Sequence, residues 1–178
     1  MKTNTLILTL GVGCICALCT RTPAQEPADE PVVPYTPPAQ SPVAAALAKY
    51  TAFNGVPAAD ARYYSYLESA SWCGPCRAEM PHIAKAYADM RAAGVELILI
   101  GRDSTPQAAQ KYLTTFKATF PGIFGQEVDQ DSLPGFTAAN YVPHAIIVDA
   151  QGNTIKDGHG SIALKWKEII AEHETKQR

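Results

Sequence analysis

Cysteine is nearly absent from the body of this chain. Three of its five cysteines, Cys14, Cys16 and Cys19, lie near the N-terminus, and beyond them only Cys73 and Cys76 occur. Two cysteines separated by two residues form either half of a structural zinc site or a redox dithiol. Zinc needs two further ligands. Here no second Cys-x-x-Cys occurs, and the four histidines, His82, His144, His159 and His173, fall at no ligand spacing. A Met- or His-rich segment is also lacking, which argues against copper carriage, although two thiolates with His144 or Met80 would suit Cu(I). Exported chains that depend on covalent staples usually carry more cysteines than this. Charge is sparse as well, at 18% of residues and a formal net charge of −2, with no basic stripe to meet nucleic acid. The pair therefore reads as a working dithiol, with no metal and no organic cofactor expected.

Long hydrophobic runs are missing too. Leu6 to Leu18 is apolar but too short to span a bilayer comfortably. With Lys2 before it and Thr22-Pro23-Ala24 after it, the segment 1–24 reads as an export signal. Lipid attachment at Cys14, Cys16 or Cys19 is the alternative to removal, but the preceding residues fit a lipoprotein box poorly, Cys14 having Gly11 rather than Leu three positions earlier. Loss of Lys2 and Arg21 with the signal leaves 13 basic side chains against 17 acidic, a net charge of −4. Residues 25–42 carry Pro27, Pro31, Pro34, Pro37, Pro38 and Pro42 with little to bury, as in a semi-extended tether. The remainder, 43–178, suits one domain placed in the periplasm or another extracytoplasmic compartment.

The two cysteines sit in Ser71-Trp72-Cys73-Gly74-Pro75-Cys76-Arg77-Ala78-Glu79-Met80-Pro81, after a Tyr/Leu-rich run and at the opening of a helical pattern. A sulfur at a helix start lies against unpaired backbone N–H groups and the positive end of the helix dipole. Its thiolate is favoured, and the cysteine pKa typically falls from about 8.5 to roughly 3.5–7.5. Cys76 is one turn further on, close enough to close a short disulfide with Cys73. Around this stretch the pattern predicts helix over 43–53, strand over 62–68, helix over 73–93 stopped by Gly94, and a doubly buried strand over 95–100. Ser104 or Thr105 can cap a helix over 106–117, and Asp129 and Asp131 read as solvated loop. Strands over 145–149 and 154–157 flank the turn Ala150-Gln151-Gly152-Asn153. Ser161 then caps a helix to Glu174, with Ile162, Trp166, Ile169 and Ile170 on one face.

Trp-Cys-Gly-Pro-Cys with Pro81 beyond it resembles the active site of the thioredoxin superfamily. Cys-x-x-Cys-x-x-Glu-x-Pro is similar to exported TlpA-like and ResA-like thiol–disulfide oxidoreductases. The resemblance covers about 62–160 and implies an α/β thioredoxin fold, a mixed central sheet flanked by helices, here with an extra N-terminal helix. It implies that Cys73 attacks and Cys76 resolves, forming a Cys73–Cys76 disulfide, and that Val142-Pro143 is a cis peptide beside the dithiol, Val142 offering its backbone to a substrate. It gives Glu79 a role in proton handling; the alternative is a solvated glutamate supporting Lys85 or Arg77. Trp72 either packs over the dithiol and narrows access or simply fills core. Leu67 stands where thioredoxins often bury an Asp, and the adjacent Glu68 means either a shifted register or a carboxylate near the core. His144 replaces the usual small residue after the proline, to tune the thiolate, touch substrate or serve structure. The implied partners are disulfides of exported proteins and a membrane thiol donor. Gly-Pro between the cysteines resembles reducing members, and the class-distinct alternatives are copper handling and a non-catalytic protein-binding module.

Overall fold

The computed structural model describes residues 41–129 and 131–178. The export-signal segment and nearly all of the Pro-rich tract lie outside the described residues. Five strands form one sheet: β1 (Tyr63–Ser69), β2 (Val95–Gly101), β3 (Gly122–Phe124), β4 (His144–Asp149) and β5 (Thr154–His159). Their spatial order is β3-β2-β1-β4-β5. The β1–β2 and β2–β3 pairs are parallel, whereas β4 runs antiparallel to both β1 and β5. Every residue of β1 and β2 is buried; β2 is accordingly an apolar run broken only by Glu96, whereas β1 buries Ser65, Glu68 and Ser69 among its tyrosines.

Two crossovers build the parallel part. Helix α2 (Gly74–Ala92) links β1 to β2, and α3 (Pro106–Thr115) links β2 to β3. Both crossovers step in the same direction, so right-handed connection places both helices on one face. There Met80, Ile83 and Leu113 pack with Leu67, Leu97 and Leu99, and with Trp166 of the final helix α4 (Trp166–Lys176). Helix α1 (Pro42–Leu47) and the stretch around Leu133 and Phe136 cover the opposite face, packing on Tyr64, Tyr66, Ile98, Ile100, Ile146 and Val148. Among the described residues no helix is long and apolar enough to cross a membrane.

Three local expectations need correction. The N-terminal helix stops at Leu47 rather than at Phe53. Phe53 instead exchanges two backbone hydrogen bonds with Gly122, at 2.8 and 2.9 Å, and Asn54 turns away at φ 62 with its amide held by the Ala118 and Phe120 carbonyls. A Cβ on Gly122 would lie 2.4 Å from the Phe53 ring, so this glycine permits the pairing. Tertiary pairing here overrides an Ala-rich helical pattern. Strand β3, absent from the sequence-based expectations, is only three residues long and carries no periodic signal. Finally, Ser161 does not cap a helix. It is itself capped, donating its N–H to Nδ1 of His159 at 3.2 Å; residues Gly160–Lys165 form a 3₁₀ segment, and α4 begins only at Trp166. The chain has to pass close beneath Pro143 at this point, and a Cβ on Gly160 would meet the proline ring at 2.5 Å.

Tyr112 of α3 is buried, with its phenol 3.1 Å from the Ser69 hydroxyl, and burial raises its pKa from 10.0 to about 12. The folded state thus favours the neutral phenol. That stability is complete below pH 10 and is lost as pH rises from 10 towards 12. The urea midpoint should fall across that window, and Tyr112→Phe should make the fall shallower. An identical slope in the variant would show that Tyr112 carries none of it.

Candidate active site

The dithiol sits where β1 hands over to α2. The turn is anchored by Ser71, whose N–H and hydroxyl both donate to Oδ1 of the buried Asp103, at 3.1 and 2.5 Å. Cys73 is the N-cap of α2, with φ −83 and ψ 115, and its sulfur accepts the N–H of Cys76 at 3.2 Å. Pro75 comes next in the first turn, where a missing N–H leaves no intrahelical bond unmade. The two sulfurs are joined at 2.19 Å with Cα atoms 5.2 Å apart. Cys73 is the outer of the two, 5% exposed against 1% for Cys76. Helix α2 then continues unbroken through Pro81.

A loop preceding β4 forms the second wall. The Val142–Pro143 peptide is cis, and the Val142 carbonyl oxygen lies 3.6 Å from Cys73 Sγ. The Pro143 carbonyl accepts the Gly160 N–H at 3.0 Å, tying the loop to the chain that leaves β5. Trp72 is not core: it is 67% exposed, and its indole N–H donates to the Arg102 carbonyl at 3.3 Å. With Arg102, Asn140, Tyr141 and Val142, the last being the residue whose carbonyl approaches Cys73, it lines a shallow cavity of about 120 Å³. The site has therefore an aromatic rim, and a backbone segment faces it.

Glu79 faces this loop, not Lys85 or Arg77. Its Oε1 lies 3.7 Å from His159 Nδ1, while Oε2 is enclosed without a hydrogen-bond partner. A Cβ on Gly160 would come within 2.9 Å of that oxygen. The small residue therefore leaves room for the carboxylate beside Pro143.

Glu68 and His144 turn out to be partners. Strand β1 keeps the register expected, with Leu67 in the core on the α2 face and Glu68 buried on the other. His144 is also buried, its Nδ1 2.8 Å from Glu68 Oε2 and its Nε2 2.6 Å from Asp157 Oδ1. Arg102 forms an ion pair with the remaining oxygen of Glu68. Neither Arg102 nor Asp157 stands out in the sequence. The available signal is positional: Arg102-Asp103 ends an apolar run just past the carboxyl end of the parallel strand β2, where open α/β sheets place their sites. Among the described residues no cluster of three or more His, Cys, Asp or Glu could hold a metal ion.

A family model described as thioredoxin-like matches residues 62–154. Thiol-disulfide oxidoreductase ResA of Oceanobacillus iheyensis is 36% identical over 52 residues, which are 29% of this chain and 27% of that protein. ResA of Halalkalibacterium halodurans is 24% identical over 102 residues, covering 57% of this chain and 56% of the relative. The chain thus spans little more than half the length of these curated relatives, or less. Among solved structures, a thiol:disulfide interchange protein from Chlorobium tepidum TLS shares the fold at a TM-score of 0.52 and 20% identity, over 62% of this chain and 79% of that one.

Geometry ranks the two thiols. After reduction, iodoacetamide at neutral pH should label Cys73 several-fold faster than Cys76, read by mass spectrometry of the digested protein. Faster labelling of Cys76 would reverse the assignment of outer and inner sulfur.

Proposed function

This chain belongs to the thioredoxin-like family, and from that premise we propose that it is a thiol–disulfide oxidoreductase that reduces disulfides of exported proteins. The observation that carries the reading is the joined pair Cys73–Cys76 at a helix start, with the Val142 carbonyl 3.6 Å from the outer sulfur. In the reduced protein the Cys73 thiolate, held by the Cys76 N–H, attacks one sulfur of a substrate disulfide. A mixed disulfide forms and the other substrate sulfur leaves as a thiolate. Cys76 then attacks Cys73 Sγ, the mixed disulfide breaks, and the second substrate thiol is released with the enzyme oxidised. Two electrons and two protons pass to the substrate, and a membrane thiol donor restores the dithiol.

The residues around the sulfurs fit parts of this cycle. An extended substrate pairs with the backbone of the Val142 loop, main chain to main chain, and lies against Trp72. Glu79 takes the proton of Cys76 as that thiol turns nucleophile, directly or through a water; its enclosed, unpartnered Oε2 is the motive. The Gly-Pro spacer favours the reducing direction by its resemblance to reducing family members. A leader peptide on the chain would place the reaction outside the cytoplasm. Copper carriage loses one of its candidate ligands, because both ring nitrogens of His144 already face carboxylates.

An insulin-reduction assay with dithiothreitol, run with and without a chelator, tests the proposal. Wild type should accelerate precipitation of the insulin B chain equally in both, Cys73→Ala should fall to the uncatalysed rate, and Glu79→Gln should remain folded but act several-fold more slowly. Activity that survives Cys73→Ala, or that vanishes with the chelator, would overturn the dithiol mechanism. Full activity in Glu79→Gln would remove that residue from it.

A further inference from the structure

Glu68 collects donors from three separate parts of the fold. Its Oε2 accepts the Ala139 N–H at 2.9 Å and meets His144 Nδ1 at 2.8 Å, while its Oε1 pairs with Arg102. Ala139 and His144 are the two ends of the segment that carries Asn140, Tyr141, Val142 and Pro143. One carboxylate oxygen therefore grips both ends of the loop that faces Cys73. Arg102 makes the same connection from the other side. Its guanidinium also donates to the Ala139 carbonyl at 3.2 Å, and its own carbonyl holds the Trp72 indole. Asp157 closes the arrangement by holding His144 from β5 at 2.6 Å.

The Trp72 wall and the Val142 wall of the shallow cavity are thus referenced to a single side chain that is 1% exposed and touches neither sulfur. Buried ion pairs are weak stabilisers, since desolvation offsets much of their attraction. Their stronger effect is on geometry, because a charge taken out of water tolerates few arrangements of its donors. A carboxylate that links two functional segments in this way is better suited to holding a separation than to adding stability.

Building on the oxidoreductase reading above, we propose that Glu68 is a positioning residue for substrate: through Ala139, His144 and Arg102 it sets the gap between the Val142 backbone and Trp72 into which an extended peptide fits. It acts on recognition and not on the sulfur chemistry. A small disulfide that needs only Cys73 is indifferent to it, and a polypeptide disulfide is not.

The test compares two substrates: insulin, turned over with dithiothreitol as the reductant and corrected for the uncatalysed rate, and the small aromatic disulfide DTNB, in a single turnover by enzyme reduced beforehand and freed of dithiothreitol. Reduction of both by wild type establishes the activity itself, and failure there sinks the oxidoreductase reading irrespective of Glu68. Given that activity, Glu68→Gln should raise KM for insulin about tenfold, the size of one lost hydrogen bond to a charged group, with kcat and the DTNB rate constant essentially unchanged. Asp157→Asn, altered at a half-exposed side chain, keeps the proposal decidable if Glu68→Gln fails to fold: it should raise KM for insulin about threefold, as weaker support for His144. A purely structural role predicts instead a lower melting temperature with unaltered KM in whichever variant folds. That result, or an equal loss on insulin and DTNB, overturns the positioning role.

Discussion

The antiparallel pairing of β1 with β4 is the constraint on which the site depends. It sets the carboxyl end of β1 beside the start of β4, so the segment leaving one strand must meet the segment entering the other. Leaving β1 is the turn into the Cys73–Cys76 helix, and entering β4 is Val142–Pro143. In the ladder Glu68 stands opposite His144, and the same two residues are joined through their side chains. Backbone register and polar contact therefore specify the same alignment. A slip of one residue would send Glu68 into the apolar face beneath α2 and Leu67 out of it.

The two faces of the sheet divide the work. Beneath α2 the packing is apolar and close, with Met80, Ile83, Leu97 and Leu99 buried together, and this holds the helix whose first turn carries the sulfurs. On the other face, at the same end of the strands, the polar group of Glu68, Arg102 and His144 holds the loop. Gly160 joins the two halves at the rim, where its N–H reaches the Pro143 carbonyl and its missing side chain leaves space for Glu79. The apolar face supplies most of the free energy, and the polar one restricts which arrangement of the rim is reached.

Legibility in the sequence tracks distance along the chain. Cys73, Gly74, Pro75 and Cys76 are local, so their helix-start chemistry can be read directly. β2 is legible because burial on both faces leaves an apolar run broken only by Glu96, and β1 because its tyrosines favour a pleated surface. Val142–Pro143 is reached through family resemblance, since a lone Val-Pro carries little signal of its own. The Glu68–His144 contact is out of reach because 76 residues separate the partners, and neither has a periodic neighbour to announce it. Trp72 shows a different limit: nothing local distinguishes an aromatic that fills core from one that stands at a rim on a single hydrogen bond. The helices at both ends of the domain depart from local expectation for one reason. Pairing of Phe53 with Gly122, and the passage of Gly160 under Pro143, are tertiary demands that outweigh local propensity.

In the proposed cycle the outer sulfur, Cys73, attacks substrate and the inner one, Cys76, releases it. Trapping measures this directly. Cys76→Ser, which can form the mixed disulfide but cannot resolve it, should accumulate covalent adducts with exported proteins that run as high-mass bands and disappear on reduction. Cys73→Ser should accumulate few. Equal trapping by both variants, or adducts confined to Cys73→Ser, would contradict the account, because the sulfur shielded beneath the first turn of α2 would then be the one that meets substrate.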